Sequence, residues 1–124
     1  MITDIPGSSE YLLGSVVTYS NMAKQKLVNV SAENLEKYGA VSEQVACEMA
    51  SGVRDLFGTT YGVGITGIAG PGGATEEKPV GLVYMAVADG NDVHCVKLLF
   101  GGTRPETKLR SALPAISMVL DKIK

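Results

Sequence analysis

The sequence predicts an α/β fold with three layers, in which helices cover both faces of a mixed β-sheet. Two segments, 42–57 and 103–123, carry apolar side chains at helical spacing. Four further segments are rich in β-branched and aromatic residues, which is typical of strands: 15–20, 63–68, 82–88 and 93–100. The 124 residues are enough for one hydrophobic core, so we expect a single domain over 1–124.

The two helices have recognisable ends. Ser42 is a candidate N-cap for the first helix and Gly58 ends it, while Val45, Met49, Val53 and Leu56 recur on one side. In the second helix Thr103 and Glu106 match a T-x-x-E capping box, and Pro114 is expected to kink it. Its predicted core stripe is Leu109, Leu113, Ile116, Leu120 and Ile123.

The strand segments are joined in two different ways. The sequence Asp-Gly-Asn-Asp at 89–92 is typical of a hairpin, so the last two strands are expected to run antiparallel. The connection 69–81, in contrast, is long and rich in glycine and proline. Loops of that length inside a small domain are usually functional or disordered, and we favour a functional loop.

Composition excludes several classes of protein. Hydrophobic residues make up 45% and charged residues 19% of the chain, and no apolar run approaches the length of a membrane span. The first residues do not resemble a secretory signal, so we expect a cytoplasmic protein without a membrane partner. The basic residues of the segment 97–124 lack interleaved aromatics and follow a helical pattern, which indicates a solvated helix face and no nucleic-acid partner.

The sequence does not indicate a metal or a cofactor. Cys47 and Cys95 lie far apart and fit buried, reduced thiols, and the chain has one histidine, His94. Residues 62–67, GVGITG, match the dinucleotide fingerprint G-x-G-x-x-G. We interpret the match as accidental, because these glycines lie within the strand pattern and a loop, not a helix, follows them.

Two glycine-rich segments could bind an anion. The glycines that follow the 63–68 strand, Gly67, Gly70, Gly72 and Gly73, allow close approach of backbone N–H groups to a phosphate. A second candidate is the sequence Gly-Gly-Thr-Arg at 101–104, where a helix begins and Arg104 stands in its first turn. An ordinary helix cap with a surface arginine is an equal alternative there.

The segment Tyr-Ser-Asn-Met-Ala-Lys at 19–24 carries the strongest indication of chemistry. Asn21 is a candidate N-cap for a short helix through Leu27, which places Lys24 near the positive end of that helix. Burial and the helix dipole together would lower the pKa of Lys24 and make its amine a general base for a serine hydroxyl. Considered alone, Lys24 also fits a solvated surface lysine.

Together these segments resemble the C-terminal domain of the CinA competence/damage-inducible family, whose stand-alone relatives are nicotinamide mononucleotide amidohydrolases. The matching segments are TDIPGSS (3–9), VTYSNMAK (17–24), YGAVSEQVA (38–46), GITGIAGPGG (64–73) and EEKPVG (76–81). The resemblance implies hydrolysis of the nicotinamide carboxamide by a serine and a lysine, without metal or cofactor, in NAD recycling. It places Lys24 as the base, Tyr19 in the pocket, Thr66 to Gly73 around the substrate and Arg104 at the phosphate.

The chain departs from the family in two places. It has Gly-Thr-Arg where the family more often has Gly-Asp-Arg, and the family's nucleophilic Ser-Cys-Thr-Gly-Gly segment has no counterpart in the 124 residues. We therefore expect a chain truncated at its N-terminus relative to the family, whose status as an enzyme is open. It is a fragment, a binding-only remnant, or an enzyme in which another serine, Ser20 foremost, has replaced the nucleophile.

The same departures leave a second function class open. This is a non-catalytic nucleotide- or phosphate-binding module, or a competence-related interaction domain. Loss of a first strand would also expose backbone groups and apolar surface, so a second copy of the chain is a candidate partner.

Overall fold

The computed structural model describes residues 6–68, 72–100 and 104–123, and the side chains of the last helix from residue 114 onward. A short 3-10 helix, Ser8–Glu10, comes first. The other elements, in chain order, are α1 (Asn21–Val28), α2 (Ala32–Tyr38), α3 (Glu43–Phe57), β1 (Gly62–Gly67), β2 (Leu82–Ala88), β3 (Val93–Leu99) and α4 (Arg104–Ile123).

The three strands form one sheet in the order β1-β2-β3, and both neighbouring pairs are antiparallel. The predicted hairpin between β2 and β3 is confirmed. In its turn the backbone N–H groups of Asn91 and Asp92 both donate to Asp89 Oδ1 at 2.8 Å, and Lys122 Nζ of α4 donates to Asp89 Oδ2 at 3.1 Å. The turn is therefore stabilised by hydrogen bonds within the turn itself and by a hydrogen bond from α4.

Helices cover both faces of this sheet, which confirms the predicted three-layer class. Ala86 and Ala88 of β2 point to one face and pack with Ala46 and Ala50 of α3. Val83 and Met85 point to the other face and pack with Ala115 of α4. The alternation of a strand's side chains thus divides the core into two layers around a central strand that is buried on both sides.

The strand expected over 15–20 does not form. The segment has no secondary structure, and the side chains of Val17 and Tyr19 are each 85% exposed. Its β-branched residues favour an extended backbone, but a strand also requires a hydrogen-bonding partner, and the sheet of the described residues ends at β1 and β3. Within that part of the chain the sheet is therefore antiparallel, without the parallel pair that a mixed sheet would contain.

Serine side chains cap the three described α-helices that precede the sheet. Ser20, Ser31 and Ser42 each accept a hydrogen bond through Oγ from the backbone N–H three residues later, at 3.1 to 3.3 Å. The cap at Ser42 and the end of α3 at Gly58, which has a left-handed backbone, confirm the prediction. The prediction of Asn21 as the cap of α1 is wrong, because Ser20 occupies that position.

Two further details of the helices differ from the sequence prediction. Helix α2 was not predicted, although Ser31 is a typical N-cap residue; its seven residues are too few to show a clear apolar period. In α4, Ala115 and Met118 pack against the sheet. Leu120 and Ile123, which belong to the predicted core stripe, are exposed. Pro114 lies inside α4 as predicted, and the T-x-x-E capping box lies outside the described residues.

The glycines of the apparent dinucleotide motif have a packing role. A Cβ atom on Gly62 would lie 2.1 Å from the carbonyl oxygen of Ala50, and one on Gly64 would lie 2.4 Å from that of Ala46. Both distances are far below van der Waals contact, so only glycine allows α3 to lie this close to β1. The interpretation of GVGITG as an accidental match to the nucleotide fingerprint agrees with this arrangement.

Candidate functional site

Lys24 is buried, with 8% of its surface exposed, in the first turns of α1. Its Nζ donates a hydrogen bond of 2.7 Å to the carbonyl oxygen of Thr18, in the extended segment before the helix. Removal from water disfavours the ammonium form and lowers the pKa of Lys24 below its ordinary value. The alternative of a solvated surface lysine does not apply to this side chain.

The hydroxyl of Ser20 is committed to the helix cap. Ala23 N–H donates to Ser20 Oγ at 3.1 Å, and Lys24 N–H donates to the Ser20 carbonyl oxygen at 3.1 Å. The Lys24 amine is bonded to Thr18 rather than to this hydroxyl. Ser20 thus lies four residues before the lysine in sequence, but its hydrogen bonds are those of an N-cap and not of an activated nucleophile.

Tyr19 lies on the surface with its side chain in solvent. Its neighbours in the chain, Thr18 and Ser20, both accept hydrogen bonds from residues of α1, so the backbone of Tyr19 lies between two attachments to that helix. Its assignment to a substrate pocket remains a prediction.

Thr66 is buried at the end of β1. Its Oγ1 donates a 2.7 Å hydrogen bond to the carbonyl oxygen of Ala40, in the connection between α2 and α3. Gly67 follows it with an exposed backbone, and a Cβ there would lie 2.8 Å from the Leu82 carbonyl oxygen. The hydroxyl of Thr66 therefore holds the start of the glycine-rich loop against the beginning of α3.

The later part of the same loop is held at the same place by a residue that the prediction did not single out. Lys78 Nζ donates to the carbonyl oxygen of Tyr38, and the turn before it is closed by a 2.9 Å bond from Thr75 N–H to the Lys78 carbonyl oxygen. Tyr38 and Ala40 are two residues apart, so both ends of the loop attach to one short segment. Lys78 belongs to the EEKPVG motif, so that motif was the sequence feature that could have indicated this attachment.

The glycines between these attachments are open to solvent. Gly72 and Gly73 are exposed, a Cβ on either would meet nothing within 4 Å, and Gly73 has a φ of +84°. Their backbone N–H groups are accessible to an anionic ligand without hindrance from side chains. Gly70 and the side chain of Arg104 lie outside the described residues, so their predicted roles stay predictions.

The predicted residues thus fall into two groups. Lys24 and Tyr19 belong to α1 and the segment before it, whereas Thr66, Gly67, Gly72 and Gly73 surround the start of α3. Among the described residues, no hydrogen bond joins one group to the other. The amine and the loop are each preorganised by their own backbone partners.

Two cavities border this framework. One, of about 360 Å³, lies beside the start of α3 and is lined by Tyr38, Ser42, Glu43, Lys78, Cys95 and Lys97, among others. The other, of about 740 Å³, lies between the extended segment 11–18, the end of α3 and the end of α4. Lys78, which attaches the glycine-rich loop to Tyr38, therefore lines the first cavity. Thr18, whose carbonyl oxygen accepts the hydrogen bond of Lys24, lines the second.

Among the residues that the structure describes, no group of three or more His, Cys, Asp and Glu side chains could hold a metal ion. Nor does any helix there have the length and apolar character needed to cross a membrane. Cys47 and Cys95 are both free thiols. They were predicted to be buried, whereas both are half-buried.

Comparison with known proteins settles the family. The family model of the CinA C-terminal domain matches residues 1–123, nearly the whole chain. The chain belongs to the CinA C-terminal domain family. A CinA-like protein of Syntrophomonas wolfei is 48% identical over all 124 residues, and a putative competence-damage inducible protein of Moorella thermoacetica is 52% identical over 118.

Solved CinA structures share the fold. The competence/damage inducible protein CihA of Agrobacterium tumefaciens is 38% identical, with a TM-score of 0.91 over 99% of this chain and 76% of that one. A CinA superfamily protein of Enterobacter cloacae is 26% identical, with a TM-score of 0.93 over 99% of this chain and 73% of that one. The chain spans 30% of the Syntrophomonas wolfei protein and 28% of the Moorella thermoacetica protein.

Proposed function

We propose that this CinA domain supplies the lysine of a serine/lysine amidohydrolase that converts nicotinamide mononucleotide to nicotinic acid mononucleotide and ammonia, in NAD recycling. The observation that carries the proposal is the buried Lys24 amine, which has a lowered pKa and a fixed acceptor in the Thr18 carbonyl group. A lysine whose pKa is lowered by burial is more readily deprotonated and can act as a general base.

In the proposed reaction, the neutral amine accepts the proton of a serine hydroxyl as its oxygen attacks the carboxamide carbon. The lysine then donates that proton to the departing nitrogen, which leaves as ammonia, and water hydrolyses the acyl ester to the carboxylic acid and the free serine. Donation of one N–H to the Thr18 carbonyl group orients Nζ and leaves its lone pair for the serine.

The serine of this reaction is assigned outside the 124 residues. Ser20 is the nearest hydroxyl in sequence, but it accepts the N–H of Ala23 as the cap of α1. The nucleophilic Ser-Cys-Thr-Gly-Gly segment of the family has no counterpart in the sequence. We therefore expect the chain alone to bind nucleotide and the chain joined to that segment to hydrolyse it.

Substrate binding is assigned to the glycine-rich loop and the start of α4. The exposed backbone at Gly72 and Gly73 offers N–H donors for the phosphate or for the oxyanion, and the hydroxyl of Thr66 fixes where the loop begins. Arg104 is assigned to the phosphate, at the N-terminal end of α4.

A second candidate function is nucleotide binding without hydrolysis. The use of the Ser20 hydroxyl as a helix cap favours it for the 124-residue chain, because the hydroxyl nearest to the lysine in sequence is already engaged. Both candidates predict that nicotinamide mononucleotide raises the melting temperature of the chain, since the ligand binds the folded state. They differ in whether ammonia is ever released.

The deciding experiment measures ammonia release from nicotinamide mononucleotide by the chain alone and by the chain preceded by the Ser-Cys-Thr-Gly-Gly segment of the family. We expect release only from the second protein. In that protein Lys24→Ala should lower kcat at least ~100-fold, as expected for loss of a general base. Lys26→Ala is the matched control, because Lys26 is exposed on the same helix and should leave the rate unchanged.

The outcomes separate the candidates. No release from the longer protein, together with a rise in melting temperature, would replace hydrolysis by binding alone. Release of ammonia that does not depend on Lys24 would overturn the assignment of the base. Absence of any ligand-dependent change in melting temperature would contradict both candidates and favour an interaction domain.

A further inference from the structure

The two cysteines, 48 positions apart in the sequence, meet between α3 and the sheet. Cys47 lies on α3 and Cys95 in the middle of β3, and both are free and half-buried. Both pack against the same cluster of alanines, Ala46, Ala50, Ala86 and Ala88. The two thiols lie near enough for each to alter the other's ionisation. They therefore form a dithiol pair.

Small residues bring this pair together. Gly62 and Gly64 allow the backbone of α3 to contact β1, and the neighbouring strand places Ala86 and Ala88 against Ala46 and Ala50 of the helix. Cys95 is paired with Ala86 in the β2–β3 register, so it faces α3 directly beside that alanine. A helix this close to the sheet lets short side chains on helix and strand reach each other, which a disulfide requires.

A small reagent can reach the pair. Cys95 lines the 360 Å³ cavity at the start of α3, which also contains Lys97 of the same strand and Glu43, one turn before Cys47 on the helix. The cavity opens to solvent, and both cysteines are partly exposed. Burial nevertheless raises the pKa of Cys95 to about 12 and also raises that of Cys47, so both are thiols at neutral pH.

We propose that Cys47 and Cys95 are a modification site, at which a low-molecular-weight disulfide of the glutathione class oxidises the two thiols to an intramolecular disulfide. One cysteine thiolate attacks the reagent disulfide, forms a mixed disulfide and releases one reagent thiolate, which takes up the cysteine's proton. The second cysteine thiolate then attacks the protein sulfur and releases the second reagent thiolate with the second proton. The protein dithiol is oxidised, and one reagent disulfide is reduced to two thiols.

The resulting bond would join α3 to the edge strand β3. Ser42, the N-cap of α3, lies two residues after Ala40, whose carbonyl group accepts the hydrogen bond of Thr66, so the position of the helix also sets that of the glycine-rich loop. The cross-link would restrict the unfolded chain and reduce separation of the helix from the sheet. We expect oxidised protein to melt about 5 °C or more above reduced protein.

The test incubates the folded 124-residue chain with oxidised glutathione for hours at neutral and mildly alkaline pH and then measures its intact mass. The expected product is a monomer that has lost two hydrogen atoms, resists alkylation by iodoacetamide and recovers both thiols with reductant. Cys47→Ser and Cys95→Ser are matched controls, which can gain one glutathione but cannot form the internal bond. Circular dichroism of each variant confirms that it is folded.

Three results would overturn the proposal. One is a wild-type chain that keeps two alkylatable thiols under conditions in which a control peptide with two cysteines is fully oxidised. A second is a chain that gains glutathione on both cysteines. A third is a covalent dimer in place of the monomeric product. Because none of these readouts involves nicotinamide mononucleotide, the proposal stands or fails independently of the proposed hydrolysis.

Discussion

Substitution of Gly64 by alanine tests the contact between α3 and the sheet. The new Cβ would lie 2.4 Å from the Ala46 carbonyl oxygen, 2.7 Å from the Ala50 nitrogen and 2.9 Å from the Met49 Cβ. Two of these three atoms belong to the helix backbone, so no rotamer change can relieve the overlap and the helix must move by about 1 Å. Overpacking of a core usually costs ~1–3 kcal/mol, and we expect the upper end, about 3 kcal/mol.

The assay is urea unfolding followed by circular dichroism, with thermal melting in parallel. For a chain of this length a loss of about 3 kcal/mol corresponds to a fall in melting temperature of about 12 °C. Gly72→Ala is the matched control, since its Cβ would meet nothing within 4 Å and it lies in the exposed loop. Equal stability of the two variants would refute the close helix–sheet contact.

Four further substitutions test other parts of the structure. Thr66→Val removes the hydrogen bond from a buried hydroxyl to the half-buried Ala40 carbonyl group and should lower the free energy of unfolding by about 1 kcal/mol in urea; an unchanged midpoint would show that the bond is not needed. Ser20→Ala removes the cap of α1 and should cost about 1 kcal/mol, while ammonia release from the longer protein should persist; its loss in a folded variant would make Ser20 the nucleophile. The pKa of Asp89 is lowered to about 2 by the two N–H groups of its turn, with a smaller effect of Lys122. Its contribution to stability is therefore present above pH ~4 and is lost as the pH falls towards 2. Between pH 5 and 2, the free energy of unfolding of Asp89→Asn should fall less with decreasing pH than that of the wild-type chain. An identical pH profile would contradict the assignment. The extended segment before α1 should promote self-association, which Val17→Lys should reduce in sedimentation velocity; a wild-type monomer at every concentration would argue against this.

The sequence allowed the fold to be predicted where local signals and tertiary packing agree. Preferences of a few neighbouring residues determine three of these features: the N-cap at Ser42, the turn at Asp89 and the three strands of the sheet. The folded structure keeps each of them. Residues 15–20 have the same local preference for an extended backbone, yet they form no ladder, because strand formation depends on a partner elsewhere. Local preference alone could not reveal whether that partner exists.

The candidate site was predictable in part, for a similar reason. The position of Lys24 near the start of a predicted helix and the family motif both indicated this residue, and its burial agrees with that indication. The acceptor of its amine is a backbone carbonyl group, that of Thr18, which no side-chain pattern can reveal. The attachment of the loop through Lys78 to Tyr38 likewise joins residues 40 positions apart through a main-chain oxygen.

The glycines at the centre of this domain have a consequence for the placement of α3 along its own axis. Helices usually keep their position along a neighbour because side-chain ridges interlock with grooves. Gly62, Gly64 and the facing alanines carry no long side chains, so this part of the sheet opposes lifting of the helix more than sliding. Resistance to sliding comes largely from the other side of α3, where Val45 packs in a cluster of valine and leucine side chains and Ser31 and Asn34 bind the carboxylate of Glu48. In this domain, the small residues set how far the helix stands from the sheet, and the contacts with α1, α2 and the residues between them set its longitudinal register.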